Sequence, residues 1–310
     1  MTTEDSAGRL RDHMADQLKR EGLLSDPAIE AAFRSVPRHV FAPHAPMWVA
    51  YTDQALPLKR EGKQWLSSIS QPAMIAMMLG QLALHAGDNV LEIGAGAGYN
   101  AALMAHIVGE AGHVVTIDID DDLVRFARSR LARAGVTNVD VICADGALGD
   151  ETRAPYDRII LTVGSNDIAP AWRAQLKTGG RLVLPIDFTG TGMQFSIAFD
   201  KLEDHLVGRS FLPCGFIRLR GALAATEPHA RETAPRPLSF SETVLGSVSQ
   251  LMPKVGHQIW QRRMNRVVFG RSTLEGLNLR AFPIEAGYTP ASDEKIFDQA
   301  HTRFVLKWEA

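Results

Sequence analysis

Val90-Leu91-Glu92-Ile93-Gly94-Ala95-Gly96-Ala97-Gly98 decides the fold, because an apolar run of strand length turns abruptly into alternating glycines and then into the helical stretch Tyr99 to Val108. Glycine at 94, 96 and 98 removes Cβ atoms, permits positive φ, and lets backbone N–H groups and a helix N-terminus face a carboxylate or phosphate. Outward from this turn the pattern repeats. Strands are expected at Asn89 to Ile93, His113 to Asp118, Val139 to Cys143, Asp157 to Val163 and Arg181 to Ile186, separated mostly by helices at Tyr99 to Val108, Asp121 to Ala134 and Ala169 to Leu176. Such alternation implies an α/β fold with a mostly parallel sheet covered by helices on both faces. The segments Met193 to Phe199 and Val207 to Leu212 read as a terminal hairpin.

Three carboxylates sort the ligand. The dinucleotide fingerprint would need glycine or alanine where Tyr99 stands, whereas an acidic residue at the end of the first strand, Glu92 here, is typical of methyltransferases. Asp118 and Asp145 end or follow the next strands, where open α/β sheets bind ligands. Asp118 can accept hydrogen bonds from both ribose hydroxyls, and Asp145 with Gly146 can hold an adenine amino group and ring edge. Singly, each is also an ordinary surface carboxylate or helix cap. In series they favour S-adenosylmethionine over a nicotinamide cofactor, and a Rossmann-like, class I methyltransferase fold. The expected cofactor set is Glu92, Gly94, Gly96, Gly98, Asp118, Asp145 and Gly146.

On the N-terminal side, Leu10, Met14 and Leu18 give the stripe of an amphipathic helix over Ala7 to Glu21, and Ser25-Asp26-Pro27 opens a second helix that Pro37 ends. Pro37, Pro43, Pro46, Pro57 and Gly62 leave an irregular, loop-rich stretch to about Gln64. Pro72 then opens a helix whose Met74, Met77 and Met78 read as core. After the sheet, Ala225 to Pro237 reads as a linker. The remainder carries a helix at Ser241 to Leu251 and strand-like runs at Leu277 to Ile284 and Arg303 to Trp308. The expected organisation is an N-terminal helical and loop segment, 1–66, a methyltransferase core, 67–224, and a C-terminal α+β extension, 225–310.

Bulk properties narrow the class. The chain has 310 residues, 45% hydrophobic and 22% charged, and a formal net charge of -2, so no global field draws it to nucleic acid or an anionic membrane. It contains no base-amine methylation motif of the Asn-Pro-Pro-Tyr type, and no stretch approaches the roughly 18 apolar residues of a membrane span. Cys143 and Cys214 lie outside any metal-ligand or disulfide spacing, which points to a reducing, cytoplasmic setting. The histidines likewise show no metal spacing, and no metal is expected. Arg262, Arg263 and Arg266 could guide an acidic peptide, although a solvated helix face is the commoner reason for such a cluster.

A more specific resemblance rests on Ser35-Val36-Pro37-Arg38-His39-Val40-Phe41, Ala50-Tyr51-Thr52-Asp53 with Leu56-Pro57-Leu58, and Ser68-Ile69-Ser70-Gln71-Pro72. It extends to the glycine loop, Asp145-Gly146, Ala154-Pro155-Tyr156-Asp157 and Gly179 to Pro185. Over roughly residues 8 to 224 the chain resembles the protein-L-isoaspartate O-methyltransferases. The resemblance implies transfer of a methyl group to the free carboxylate of an isoaspartyl residue in a peptide or protein, followed by succinimide formation. It also implies catalytic positions at Ser70 and Ser68, with Ser70 orienting the reacting carboxylate, and an acceptor wall of Gln71, Thr162, Val163 and Gly164. Ser70 can equally be the N-cap before Pro72.

Two departures keep other acceptors open. The family's usual Thr-Ala-Ala-Ala-Pro turn reads Thr162-Val163-Gly164-Ser165-Asn166, and the chain runs on beyond Ala224, where typical members end. With Pro213 to Gly221, this is similar to relatives that methylate a normal aspartate of a ribosomally made peptide to give an aspartimide. A noncatalytic peptide-binding module on the same fold is the alternative from another class.

Overall fold

The computed structural model describes residues 3–187, 194–203 and 205–224, together with the strand segments 280–282 and 304–307. The chain opens with α1 (Thr3–Arg20), starting earlier than its apolar stripe suggests, with Met14 and Leu18 buried. In α2 (Pro27–Ser35), Asp26 accepts from Ala28 N at 2.8 Å, and Pro27 at the first position needs no donor partner.

The stretch expected to be irregular is more regular than its prolines imply. It forms two single-turn helices, α3 (Arg38–Phe41) and α4 (Met47–Ala50), and an antiparallel hairpin of β1 (Leu56–Glu61) and β2 (Gln64–Ile69). Proline is tolerated because Pro37 and Pro46 occupy N-cap positions and Pro57 sits on a two-stranded ribbon whose register shifts beside it. The hairpin spans residue 66, so the N-terminal segment and the core share this element.

The remaining elements are α5 (Pro72–Leu82), β3 (Asn89–Ile93), α6 (Tyr99–Val108), β4 (His113–Asp118), α7 (Asp121–Arg133), β5 (Val139–Cys143), β6 (Tyr156–Leu161), α8 (Pro170–Gln175), β7 (Leu176–Ile186), β8 (Gln194–Lys201), β9 (His205–Cys214), β10 (Arg280–Phe282) and β11 (Phe304–Lys307). The order across the large sheet is β10-β11-β9-β8-β7-β6-β3-β4-β5. Strands β5, β4, β3, β6 and β7 run parallel, while β8, β9, β11 and β10 continue it antiparallel. The expected hairpin after β7 is therefore present. Of the extension, only the two strand-like runs fall partly within the described residues, as β10 and β11 pairing onward from β9. The linker, the helix at Ser241 to Leu251 and the arginine cluster lie outside them.

Alternation across the sheet builds two cores. Val90 and Val114 pack toward the N-terminal helices, α5, α6 and α7, while Leu91, Ile93, Val115 and Ile117 pack with Trp172 of α8 on the opposite face. Because the chain leaves β3 toward β4 and β5 and later returns to β6 on β3's other side, the sheet has its topological switch point at β3. Ligands of open α/β sheets bind beyond the strand ends at that point.

Candidate active site

The glycine loop leaves β3 and is gripped from both neighbouring strands. Gly94 and Ala95 N–H donate to Ile117 O on β4 at 2.8 and 3.0 Å, and the Thr162 hydroxyl, just past β6, donates to Gly94 O at 2.7 Å. Gly94 has φ +104°, which L side chains rarely adopt, and a Cβ there would lie 2.7 Å from Thr162 Oγ1, displacing the hydroxyl that holds its carbonyl.

Asp118 ends β4 beside this loop. Its Oδ2 accepts from Gly96 N at 2.9 Å and its Oδ1 from Asp120 N at 3.1 Å. Burial raises its pKa, and those two N–H groups pull the other way. Each carboxylate oxygen has a second lone pair, so the group retains acceptor capacity for a diol at the strand end. Asp120 is held low chiefly by the Arg220 guanidinium, which forks onto it at 2.5 and 3.1 Å. Lys59 of β1 also reaches Asp120 and Asp122, at 3.1 and 2.8 Å, fastening the hairpin to the start of α7.

Asp145 follows β5 and does act as a cap, with Oδ1 accepting from Ala147 N at 2.9 Å in a short 3-10 turn. Its Oδ2 accepts from Ala222 N at 2.6 Å, and Gly221 packs so closely that a Cβ there would stand 2.5 Å from the carboxylate. Gly146 lies against Ile93, where a Cβ would come within 2.4 Å of Cγ2. Trp172 Nε1 fixes its carbonyl at 2.8 Å. Asp145 and Gly146 are thus braced by Trp172 of α8 and by Gly221 and Ala222 after β9.

Glu92 lies under the loop rather than in it. It is fully buried, with Thr116 Oγ1 donating at 2.6 Å and Asn100 Nδ2 at 2.8 Å. Burial raises its pKa from 4.5 to about 7, against the pull of these donors. Asn100 and Thr116 were not singled out from the sequence. Asn100, a polar side chain in the first turn of a helix whose only other strongly polar residue is the exposed His106, carried the readable signal.

The residues expected on the acceptor side, Ser68, Ser70 and Gln71, stand at the end of β2 and in the turn after it. Ser68 O lies 3.5 Å from where a Cβ of Gly96 would be, so the hairpin faces the glycine loop directly. Ser68 and Ser70 are half-buried, and neither hydroxyl makes a hydrogen bond among the described residues. Ser70 is not the cap of α5. Gln71 occupies that position but its side chain does not cap the helix, and Asp53 supplies the acceptor from across the loop, taking Ala73 N at 2.8 Å and Gln71 Nε2 at 2.7 Å. The reason is that proline at position 72 removes one first-turn N–H, leaving Ala73 N as the donor Asp53 can reach.

The turn Thr162-Val163-Gly164 completes that wall unevenly. Thr162 and Val163 are half-buried, but Gly164 is buried, with its N–H given to Ile217 O and its carbonyl taken by Leu219 N, each at 2.8 Å. A Cβ on Gly164 would meet Gln194 Nε2 at 2.4 Å. That amide is pinned at both ends by Phe216, accepting from its N–H at 2.7 Å and donating to its carbonyl at 3.0 Å. Gly164→Ala should therefore evict Gln194 and release Phe216, lowering stability by about 1–3 kcal/mol. In thermal melts the same change in the Gln194→Ala background should cost much less. Equal costs in both backgrounds would show that the side chain does not fill this space.

Among the described residues no cluster of His, Cys, Asp and Glu could hold a metal ion. The described donor set suits a ligand with a diol and an amino-bearing ring: carboxylates at the ends of two adjacent strands, and a glycine turn faced by the Ser68 carbonyl and the Ser67 hydroxyl of the hairpin.

A model of the family described as protein-L-isoaspartate(D-aspartate) O-methyltransferase matches residues 9–224. The chain is 40% identical over 212 residues to protein-L-isoaspartate O-methyltransferase 2 of Archaeoglobus fulgidus, covering 68% of this chain and 93% of that one. It is 38% identical over 199 residues to the protein-L-isoaspartate O-methyltransferase of Ignicoccus hospitalis, covering 64% and 92%. A solved protein-L-isoaspartate O-methyltransferase superposes with a TM-score of 0.65 at 35% identity, over 69% of this chain and 67% of that chain. In fold, a Plasmodium falciparum structure is similar at a TM-score of 0.58 and 20% identity, over 67% of this chain and 97% of that one.

Proposed function

The chain belongs to the protein-L-isoaspartate O-methyltransferase family, and from that membership we propose that it methylates isoaspartyl carboxylates of peptides and proteins with S-adenosylmethionine as donor. The observation that carries the reading is Ser70, a half-buried hydroxyl without a partner among the described residues, on the segment that faces the glycine loop through Ser68. The names of the relatives support the isoaspartyl acceptor over the aspartimide-forming and noncatalytic alternatives.

The fit of the cofactor rests on the donor set. Asp118 would hold the ribose hydroxyls, Asp145 and Gly146 the adenine edge, and the turn Gly94, Gly96, Gly98 would give the amino acid portion close approach to the main chain. Glu92 would supply negative potential beneath that turn. When bound, S-adenosylmethionine offers a methyl group on a positively charged sulfur whose departure leaves a neutral thioether.

The protein's task is then placement. An isoaspartyl carboxylate is ionised at neutral pH, so no general base is required. Ser70 would donate a hydrogen bond to one carboxylate oxygen and leave the other aimed at the methyl group. Ser68, Gln71, Thr162 and Val163 would line the acceptor, with Gly164 setting the turn behind them. The resulting ester can cyclise by attack of the following main-chain nitrogen, expelling methanol and giving the succinimide.

We assign catalysis to residues 67–224, with 1–66 and 225–310 as flanking segments. The reading includes a cytoplasmic setting and no nucleic-acid or membrane partner. It is supported by two free cysteines and the near-neutral net charge. No described helix is long and apolar enough to cross a membrane. The direct test is Ser70→Ala assayed with labelled cofactor and an isoaspartyl peptide. A fall in kcat of about tenfold with unchanged cofactor affinity is expected for loss of one hydrogen bond to a charged group; unaltered turnover would remove Ser70 from the site.

A further inference from the structure

Arg38 is the charged side chain that the chemistry above does not use, although it is fully buried. It begins α3, directly after Pro37, and spends its hydrogen bonds on main-chain carbonyls far apart in sequence. Nε donates to Ala50 O at 2.9 Å, and Nη2 to Gln54 O at 3.3 Å and to Ser70 O at 3.0 Å. Its guanidinium carbon lies 4.8 Å from the centre of the Tyr99 ring. Nη1 and the Tyr99 hydroxyl are both buried with no other protein partner, and attraction between the two side chains holds the guanidinium against the ring, so Nε and Nη2 are the arms committed to the carbonyls.

This places one rigid cation between the two halves of the site. Tyr99 is the first residue of α6, immediately after Gly98, while Ser70 carries the hydroxyl proposed to meet the acceptor. The loop gripped at Ala50 and Gln54 also contains Asp53, which holds Gln71 and Ala73. A buried guanidinium is tolerated only when its partners stay in place, because its desolvation is offset by those bonds and by the ring face. Arg38 therefore ties the main chain at residue 70 to the helix that starts at the glycine loop.

We propose that Arg38 is a positioning residue for methyl transfer, setting the placement of Ser70 relative to the cofactor loop while touching neither donor nor acceptor. The proposal rests on the functional reading above. Lysine keeps the charge but gathers its three donors on one nitrogen in place of the planar fork, and cannot reach all three carbonyls at these positions. A fraction of an ångström at the acceptor then appears in the rate rather than in cofactor binding.

The test uses the full-length chain and its Arg38→Lys variant, an isoaspartyl peptide as acceptor, and S-adenosylhomocysteine as the calorimetric probe of the cofactor site. For a folded variant, kcat should fall about ten- to thirtyfold while the Kd for S-adenosylhomocysteine stays within about threefold of the parent. Turnover within about twofold of the parent overturns the proposal, as does an equal loss of kcat and probe affinity, which marks a merely structural role. If Arg38→Lys does not fold, Asp53→Asn carries the test, because it loosens the same segment from the loop side. It should show the same split at about three- to tenfold, and an unchanged kcat would overturn the proposal. Absence of methylation by the parent protein would refute the functional reading instead, and is seen in the same assay.

Discussion

Asp118→Ala is expected to weaken S-adenosylmethionine binding by a factor of about one hundred to one thousand, and to remove detectable turnover at ordinary cofactor concentrations. Two losses combine. The first is direct, since the carboxylate proposed to accept from the ribose hydroxyls is gone. Hydrogen bonds to a charged group are worth about 1.5–3 kcal/mol each. The second is preorganisation, because Asp118 also accepts from Gly96 N at 2.9 Å and Asp120 N at 3.1 Å. Without it the centre of the glycine loop and the first turn of α7 lose a common anchor, and cofactor binding must order them. Asp118→Asn separates the two. Its amide oxygen can keep one main-chain bond, but the NH2 group faces a donor where an acceptor stood, so an intermediate affinity is expected. Calorimetric titration decides: an alanine variant that binds within a few-fold of the parent would exclude Asp118 from the cofactor site.

The sequence made much of the cofactor side readable because its signals are local. A strand, a glycine turn and a helix follow one another within residues 89–108, and Asp118 and Asp145 stand where β4 and β5 end. The acceptor side is assembled from distant residues and was readable only through its family motifs. Arg38 lies 32 positions from the Ser70 carbonyl it holds, and no periodicity signals a bond to a carbonyl. The β1–β2 hairpin was masked by Pro57 and Gly62, which mark loops by composition. Here Gly62, with φ +55°, lies in the turn between the two strands. The turn with Gly164 read from the sequence as a departure from the family pattern that kept other acceptors open. Its cause is Gln194 on β8, thirty positions later, whose amide needs the space. Where a residue's placement depended on one element it was legible; where it depended on packing between two, it was not.

Glu92→Gln should make the protein more stable and a poorer enzyme. The buried carboxyl has its pKa raised from 4.5 to about 7, so the folded chain holds its proton more tightly than the unfolded chain. Below about pH 4.5 both states are protonated and the favourable contribution is complete. Between 4.5 and about 7 the unfolded chain has released the proton while the folded chain retains it, and stability falls as pH rises. Above that window the loss levels off at a maximum of about 3 kcal/mol. Glutamine is neutral throughout and avoids this loss. Its carbonyl can accept from Asn100 and its NH2 can donate to Thr116 once that hydroxyl rotates, so most of the gain should survive. Without cofactor, melting temperatures of parent and variant should converge near pH 5 and separate near pH 8, with the variant higher. Binding should change in the opposite direction. The ionised Glu92 provides a negative potential beneath the loop proposed to receive a cationic ligand, and deleting such a charge costs on the order of 2 kcal/mol, about thirtyfold in Kd. Cofactor affinity of the parent should rise from pH 6 to pH 8 as Glu92 ionises, and that of the variant should not. Parallel melting curves across the pH range would refute the buried-carboxylate account. A pH-dependent affinity surviving in Glu92→Gln would instead assign the titration to another group, of which Asp118 is the nearest candidate because it already raises the pKa of Glu92.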